Sequence, residues 1–240
     1  MPLYEFPRQR IVNHLIKEMP IRVSALRTLG AYANVFALES FMDEVAAAAG
    51  ADPVAFRLAH MKDARARAVI EAVAKKAGWT EGEKSDGQRG RGIGFAKYKN
   101  LASYVAVVAE VMVDRASGRV RVPRAWAAVD SGQVINPDGL ANQIEGGIVQ
   151  STSWTLHEAV RFDRNGITSR EWSSYPILTM PEAPHVEVEL IDRPNEKPLG
   201  SGEGSPGPTV AAIVNALAHA TGKRLRELPL NPERVKAALG

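Results

Sequence analysis

Residues 198–221 read PLGSGEGSPGPTVAAIVNALAHAT, and this stretch limits the possible folds more than any other. A loop with glycine at 200, 202, 204 and 207 runs straight into a segment that is apolar almost all round: Val210, Ala211, Ala212, Ile213, Val214, Ala216, Leu217 and Ala218. A helix of that kind belongs in an interior, so the rest of the fold has to enclose it. The helix is expected over 209–220, with Pro206 and Pro208 stiffening its entry and Gly222, beside Lys223 and Arg224, stopping it. The loop carries one carboxylate, Glu203, among glycines that allow positive φ and close approach to a ligand. Burial there would raise the pKa of Glu203 and suit it to proton abstraction. The plain alternative is a solvated glutamate on a glycine-rich surface turn.

Elsewhere the periodicities alternate between helix and strand. Val35, Leu38, Phe41, Met42, Val45 and Ala49 recur at helical spacing, with Asn34 as the expected cap and Gly50 as the stop. Asp52-Pro53 starts a second short helix, and a third is expected over 64–77. Residues 104–114 and 119–130 read as a strand hairpin, in which Pro123 implies an edge or a bulge. A helix over 140–157 holds Gly146 and Gly147, each costing about 1 kcal/mol relative to alanine; either close packing or ligand approach would account for them. Residues 186–191 alternate as a strand, 10–16 read as another, and Asn231-Pro232 opens a last helix. The expected fold is α+β, with helices packed on mixed or antiparallel sheets in two subdomains. A mostly helical segment follows an extended N-terminus over 1–79, 80–92 is a polar, glycine-rich linker, and 93–240 is the mixed segment.

Composition narrows function mainly by exclusion. The chain has 240 residues and a net charge of +3, without a basic run interleaved with aromatics, so nucleic-acid binding has little support. There is no cysteine, so the chain offers no thiolates to an iron–sulfur cluster. His14, His60, His157, His185 and His219 show no metal-ligand spacing. No apolar run is long enough to span a membrane. The opening MPLYEFPRQR lacks the apolar core of a signal peptide and reads like the middle of a chain, which suggests a fragment or a split subunit.

Four stretches, in order, resemble one enzyme family. They are ALRTLGAYANVFALESFMDEVAAAAGADPVAFR; SYVAVVAEVMVD with RVRVPRAWAAVDSGQVINPDGLANQIEGGIVQ; YPILTMPEAPHVEVELI; and PLGSGEGSPGPTVAAIVNALAHATGKRLRELPL. Together they resemble the C-terminal part of the molybdopterin-binding subunit of the xanthine dehydrogenase and aldehyde oxidase family, most of all the branch that holds the isoquinoline 1-oxidoreductase beta subunits. The resemblance implies a molybdenum hydroxylase that oxidises an aldehyde or an N-heterocycle with water as oxygen source. It implies a molybdenum–molybdopterin cofactor, of the cytosine dinucleotide form, and no direct protein ligand to the metal. Glu203, on the family's GxGE loop, would be the general base that deprotonates a molybdenum-bound hydroxyl. Gln143 and Gly202 would contact the cofactor, and Arg27, on the family's Arg-Gly-x-Gly segment, would lie near substrate and metal.

Two departures stand out. The family's arginine–glycine pair is Arg27-Thr28 here, and the proline that commonly follows the glutamate is Gly204. No MGQG-like stretch is present, so part of the cofactor site has to come from a missing N-terminal segment or a separate molybdopterin-binding chain. Electrons would pass to clusters on a [2Fe–2S] small subunit. The alternative is a non-catalytic truncated remnant or assembly partner. A third reading, an anion-binding loop at a helix N-terminus, is disfavoured by the charge of Glu203. Compartment stays open between cytoplasm and a periplasm reached with an exported partner.

Overall fold

The computed structural model describes residues 2–21 and 25–240. Alternation along the chain builds the centre of a sheet. Strands β2 (Tyr104–Asp114) and β3 (Arg119–Asp130) form the expected antiparallel hairpin. Strand β1 (Arg89–Lys97) pairs antiparallel with β2, and β6 (His185–Ile191) pairs parallel with β3, in the order β1-β2-β3-β6. A separate two-stranded ladder joins β4 (Phe162–Asp163) to β5 (Gly166–Ile167). Pro123 lies on an interior strand and is accommodated by a bulge: the β2–β3 register shifts between Glu110 and Met112, and pairing with β6 starts only at Arg124.

Helices cover both faces of the sheet. On one face α4 (Pro137–Leu156), α5 (Pro206–Thr221) and α6 (Pro232–Leu239) bury Val105, Val107, Ala109 and Val111 with Ile144, Ile148, Ile213 and Leu217. On the other α1 (Ala31–Ala48), α2 (Pro53–Ala59) and α3 (Ala64–Lys76) bury Ala106, Val108, Trp126 and Ala128 with Met42, Val69, Ile70 and Val73. The sheet alternation of side chains thus feeds two cores. This is the expected α+β architecture, its two subdomains lying on opposite faces of a shared sheet.

Local chemistry sets the helix starts. The Asp52 carboxylate accepts from the N–H groups of Val54 and Ala55, and Asn136 accepts from Gly139. Helix α1 begins at Ala31 rather than after Asn34, and α5 begins at Pro206, so its two prolines occupy the first turn, where no intrahelical donor is lost. Residues 10–16, expected as a strand, belong to no strand; the N-terminal segment is tied down instead by an isolated bridge between Tyr4 and Met61.

β1 escapes a periodicity reading because its sequence, RGRGIGFAK, alternates glycine on one face, and glycine is poor in strands. It takes in residues 89–92 of the stretch read as a linker. Its glycines are there for α5. A Cβ at Gly90 would sit 2.2 Å from the Ala216 carbonyl oxygen, one at Gly92 2.2 Å from the Ala216 nitrogen, and one at Gly94 2.3 Å from the Pro208 carbonyl oxygen. The α5 backbone therefore lies directly on the β1 backbone. Around the strand's outer edge, the fully buried Glu39 of α1 accepts from Arg57 Nε at 2.8 Å, Tyr4 O–H at 2.7 Å and Phe95 N–H at 3.1 Å.

Gly92→Ala should lower stability by about 2 kcal/mol or more, because the new methyl meets backbone that cannot move aside. Gly200→Ala, with nothing within 4 Å of its Cβ position, should change stability by no more than about 0.5 kcal/mol. Urea unfolding of the two variants checks this, and equal losses would remove the glycine face as a packing constraint.

Candidate functional site

The antiparallel run of β1 and α5 brings the end of the strand to the start of the helix. The loop 198–205, which precedes α5, meets there the turn that follows β1 and the turn that precedes α1. The Glu203 carboxylate sits at this junction. Its Oε1 accepts the backbone N–H of Thr28 at 2.9 Å, and its Oε2 accepts the Tyr98 hydroxyl at 2.7 Å. Glu203 is half-exposed, not buried. Its pKa is held below the ordinary glutamate value, by the Tyr98 hydroxyl first and the Thr28 N–H next, with the charges of Lys99 and Arg27 adding and burial opposing. The expected elevation is therefore corrected. Desolvation is too slight to compete with two donors, and the group stays ionised into the acid range.

Arg27 is a clamp. Its Nε donates to the Gly202 carbonyl at 2.6 Å, Nη2 to the Gln143 carbonyl at 2.9 Å and to Gln143 Oε1 at 3.3 Å, and Nη1 to Gln150 Oε1 at 3.3 Å. Gln143, Gly146, Gly147 and Gln150 share one stripe of α4, and the guanidinium lies across it. A Cβ at Gly147 would fall 2.1 Å from Ser205 Oγ and 3.4 Å from Arg27 Nη2, and one at Gly146 3.9 Å from Arg27 Nη1. Close packing thus accounts for Gly147, and Gly146 sits beneath the clamp. Ser205 Oγ donates to the Ile144 carbonyl at 3.0 Å and Ser151 Oγ to the Pro206 carbonyl at 2.8 Å, which ties the loop to α4.

All four residues singled out in the sequence, Arg27, Gln143, Gly202 and Glu203, come together at this junction. Sequence reasoning missed Tyr98, which follows a strand that gave no strand signal, and it missed that Thr28 takes part through its backbone. Backbone strain gathers at the same place. Among the described residues, the non-glycine residues at positive φ are Ala25, Thr28, Leu29, Lys99 and Asn100. Thr28, Leu29, Lys99 and Asn100 lie in the two turns whose donors hold Glu203, and Ala25 just precedes the first. Left-handed conformations cost about 1–2 kcal/mol for residues with a Cβ, more for β-branched ones, and persist where the surroundings enforce them. Thr28, at φ 76°, stands where the resembling segment has glycine, and its buried hydroxyl has no partner among the described residues.

The donor set fits the edge of a pterin better than it fits a directly ligated metal. No group of three or more His, Cys, Asp or Glu that could hold a metal ion occurs among the described residues. Gly200 and Gly202 present bare backbone, and Gln143 is exposed with an amide suited to a heterocycle edge. The buried hydroxyl of Ser103, also without a partner among the described residues, lies 2.8 Å from where a Cβ on Gly204 would be. Such a loop can border an organic cofactor that brings its own metal ligands, along one side only.

Residues 24–184 match the family model described as "Molybdopterin cofactor-binding domain". The chain is 42% identical to one of the subunits of nicotinate dehydrogenase from Pseudomonas putida, over its whole length and 21% of that protein. It is 35% identical to the beta subunit of isoquinoline 1-oxidoreductase from Brevundimonas diminuta, over 97% of the chain and 29% of that protein. The higher identity to the nicotinate enzyme means that the isoquinoline branch is not singled out. The aldehyde oxidoreductase of Desulfovibrio gigas superposes on 90% of the chain with a TM-score of 0.74 at 18% identity, covering 41% of that structure; at that identity the likeness concerns the fold. The chain thus spans less than a third of these two curated relatives.

Thr28→Gly should raise stability by about 1 kcal/mol, since it removes a β-branched side chain from a left-handed position and an unpaired hydroxyl from the interior. Thermal melting checks this, and a lower melting temperature would show that the Thr28 side chain contributes packing that outweighs its strain.

Proposed function

The chain belongs to the molybdopterin cofactor-binding domain family, and on that premise we propose that it supplies one wall of a molybdenum–pterin site and is not catalytic by itself. The second wall, with the glutamine–glycine motifs lacking here, is to come from another segment or chain. In the completed site the activity would be hydroxylation of an aldehyde or N-heterocycle with water as oxygen source. Two relatives are named for N-heterocycles, nicotinate and isoquinoline, which favours that class of substrate. Electrons would leave through iron–sulfur clusters carried outside this stretch of chain. Assembly would take place in the cytoplasm, or export would follow that of a partner.

When bound, the cofactor supplies a Lewis-acidic metal that acidifies water and accepts electrons. The chain's own residues do the rest of what can be assigned. Glu203 accepts a proton at a carboxylate oxygen that is already ionised at neutral pH. The Thr28 N–H and Tyr98 hydroxyl fix that carboxylate. Arg27 keeps the 201–205 loop seated on α4, and Gln143 and Gly202 present an amide and a bare peptide to the cofactor's edge. The observation that carries this reading is the concentration of left-handed, non-glycine backbone in the two turns that grip Glu203. Strain at that level needs a reason, and positioning a reacting group is one.

A non-catalytic remnant is the competing reading, and it draws on Thr28. Its side chain stands in place of glycine, buried and without a partner among the described residues, at the turn next to the carboxylate. Elemental analysis of the natively purified complex separates the two readings: about one molybdenum per complex supports the cofactor wall, and none, from a host that loads its other molybdenum enzymes, supports the remnant. In the loaded complex Glu203→Gln should abolish turnover while the assembly and its molybdenum content are retained. Unchanged turnover would remove Glu203 from the chemistry.

A further inference from the structure

We propose that Tyr98 is a positioning residue for Glu203: its hydroxyl fixes the orientation of the carboxylate, an assignment that rests on the role proposed above for Glu203.

The geometry is specific. Tyr98 is the first residue after β1, and its ring is almost wholly buried. The turn behind it is closed by the Tyr98 N–H donating to the Ser103 carbonyl at 2.9 Å, and by the N–H groups of Leu101 and Ala102 donating to the Tyr98 carbonyl at 3.2 and 3.0 Å. Its next two residues, Lys99 and Asn100, are left-handed at φ 52° and 58°. A turn between paired strands that had only to reverse the chain would recruit glycine at such positions. Here residues with side chains take up the strain, and the outcome is a hydroxyl 2.7 Å from Glu203 Oε2. A second tie, from the Ser103 N–H to the Gly200 carbonyl at 3.2 Å, holds the same turn against the glutamate's own loop. The hydroxyl stays protonated at neutral pH, because burial and then the carboxylate itself push it up to about 12. It is therefore a permanent donor.

Among the described residues, the other groups that act on Glu203 are the Thr28 N–H, the Arg27 guanidinium and the Lys99 ammonium. The first cannot titrate, and the Arg27 guanidinium keeps its charge through the acid and neutral range. Removing the Tyr98 hydroxyl thus takes away one donor that favours the anion and leaves the rest of the field in place. The sign follows: with fewer donors to the charged form, Glu203 protonates at higher pH.

The test is a carbon-13 carboxylate titration of the full chain with labelled glutamate, in which the Glu203 signal is assigned from its loss in Glu203→Gln. The wild-type signal should titrate below the ordinary glutamate range, and Tyr98→Phe should move the midpoint upward. An unmoved midpoint in folded Tyr98→Phe overturns the proposal. Should Tyr98→Phe fail to fold, 3-fluorotyrosine at position 98 keeps the shape and strengthens the donor, and the midpoint should then fall further; an unmoved midpoint overturns the proposal here too. A pH profile of kcat/KM in the loaded complex separates this inference from the one it rests on. An acid limb that moves upward with the titration supports both. A titration that moves while the acid limb stays leaves Tyr98 as the positioning residue and removes Glu203 as the base.

Discussion

Backbone-to-backbone packing of α5 on the glycine face of β1 is the constraint from which the site's geometry follows. Gly90 lies under Ala216 and Ala220, and Gly94 lies under Pro208. Four residues of strand advance about 13 Å and eight to twelve residues of helix about 12–18 Å, so the two elements run antiparallel with matched lengths. The end of β1 must therefore arrive at the start of α5. Tyr98 is the residue after that strand, and Glu203 stands three residues before that helix. Their hydrogen bond is a consequence of the match. A bulkier residue on that face of β1 would separate the elements and lift the loop away from its donors.

The third component, the turn at Arg27-Thr28, is placed by the outer edge of β1. An edge strand leaves backbone groups unpaired, and here α1 and α5 satisfy them. The Phe95 N–H goes to Glu39 on α1, and the Ile93 carbonyl accepts from Asn215 on α5 at 2.9 Å, with Asn215 also reaching the Glu39 carbonyl at 3.3 Å. Burying the charge of Glu39 is tolerable only because Arg57 and Tyr4 complete its shell. This buried network sets α1 against β1, and the turn at its N-terminus is thereby delivered to the Glu203 loop. The charge pair so far from the carboxylate serves the site by fixing where the Thr28 N–H points.

The sequence displayed elements whose side chains report their environment, and it concealed those whose role is steric. The β2–β3 hairpin shows in alternation because each of its side chains faces one of two cores, and α5 shows in an apolar run because it is enclosed. β1 is hidden because its packing face consists of missing side chains. The strand expected at 10–16 fails for the converse reason: Ile11, Val12, Leu15 and Ile16 have the composition of a strand, yet all are exposed and nothing described pairs with them. Motif position singled out Arg27, Gln143, Gly202 and Glu203, which the fold brings together, but the direction of the carboxylate's pKa could not be read from a glycine-rich loop. It depends on a hydroxyl and a backbone N–H contributed from more than a hundred residues away in the chain.

That direction bears on how labour is divided in a completed site. A carboxylate held below its usual range is a weak base, so it takes a proton efficiently only from a donor that has itself been made acidic. Nothing among the described residues supplies that acidity: no metal-holding cluster lies nearby, and the neighbouring cations, Arg27 and Lys99, stabilise the carboxylate. Water bound to a Lewis-acidic metal has the lowered pKa that the pairing requires. On the role proposed for Glu203, the features that make it a poor base alone would suit it to act opposite an acidified water. The pKa of Glu203 is held below the ordinary glutamate value, and two fixed donors orient its carboxylate. On that proposed reading, a wall built in this way would have chemistry to perform only opposite a second wall.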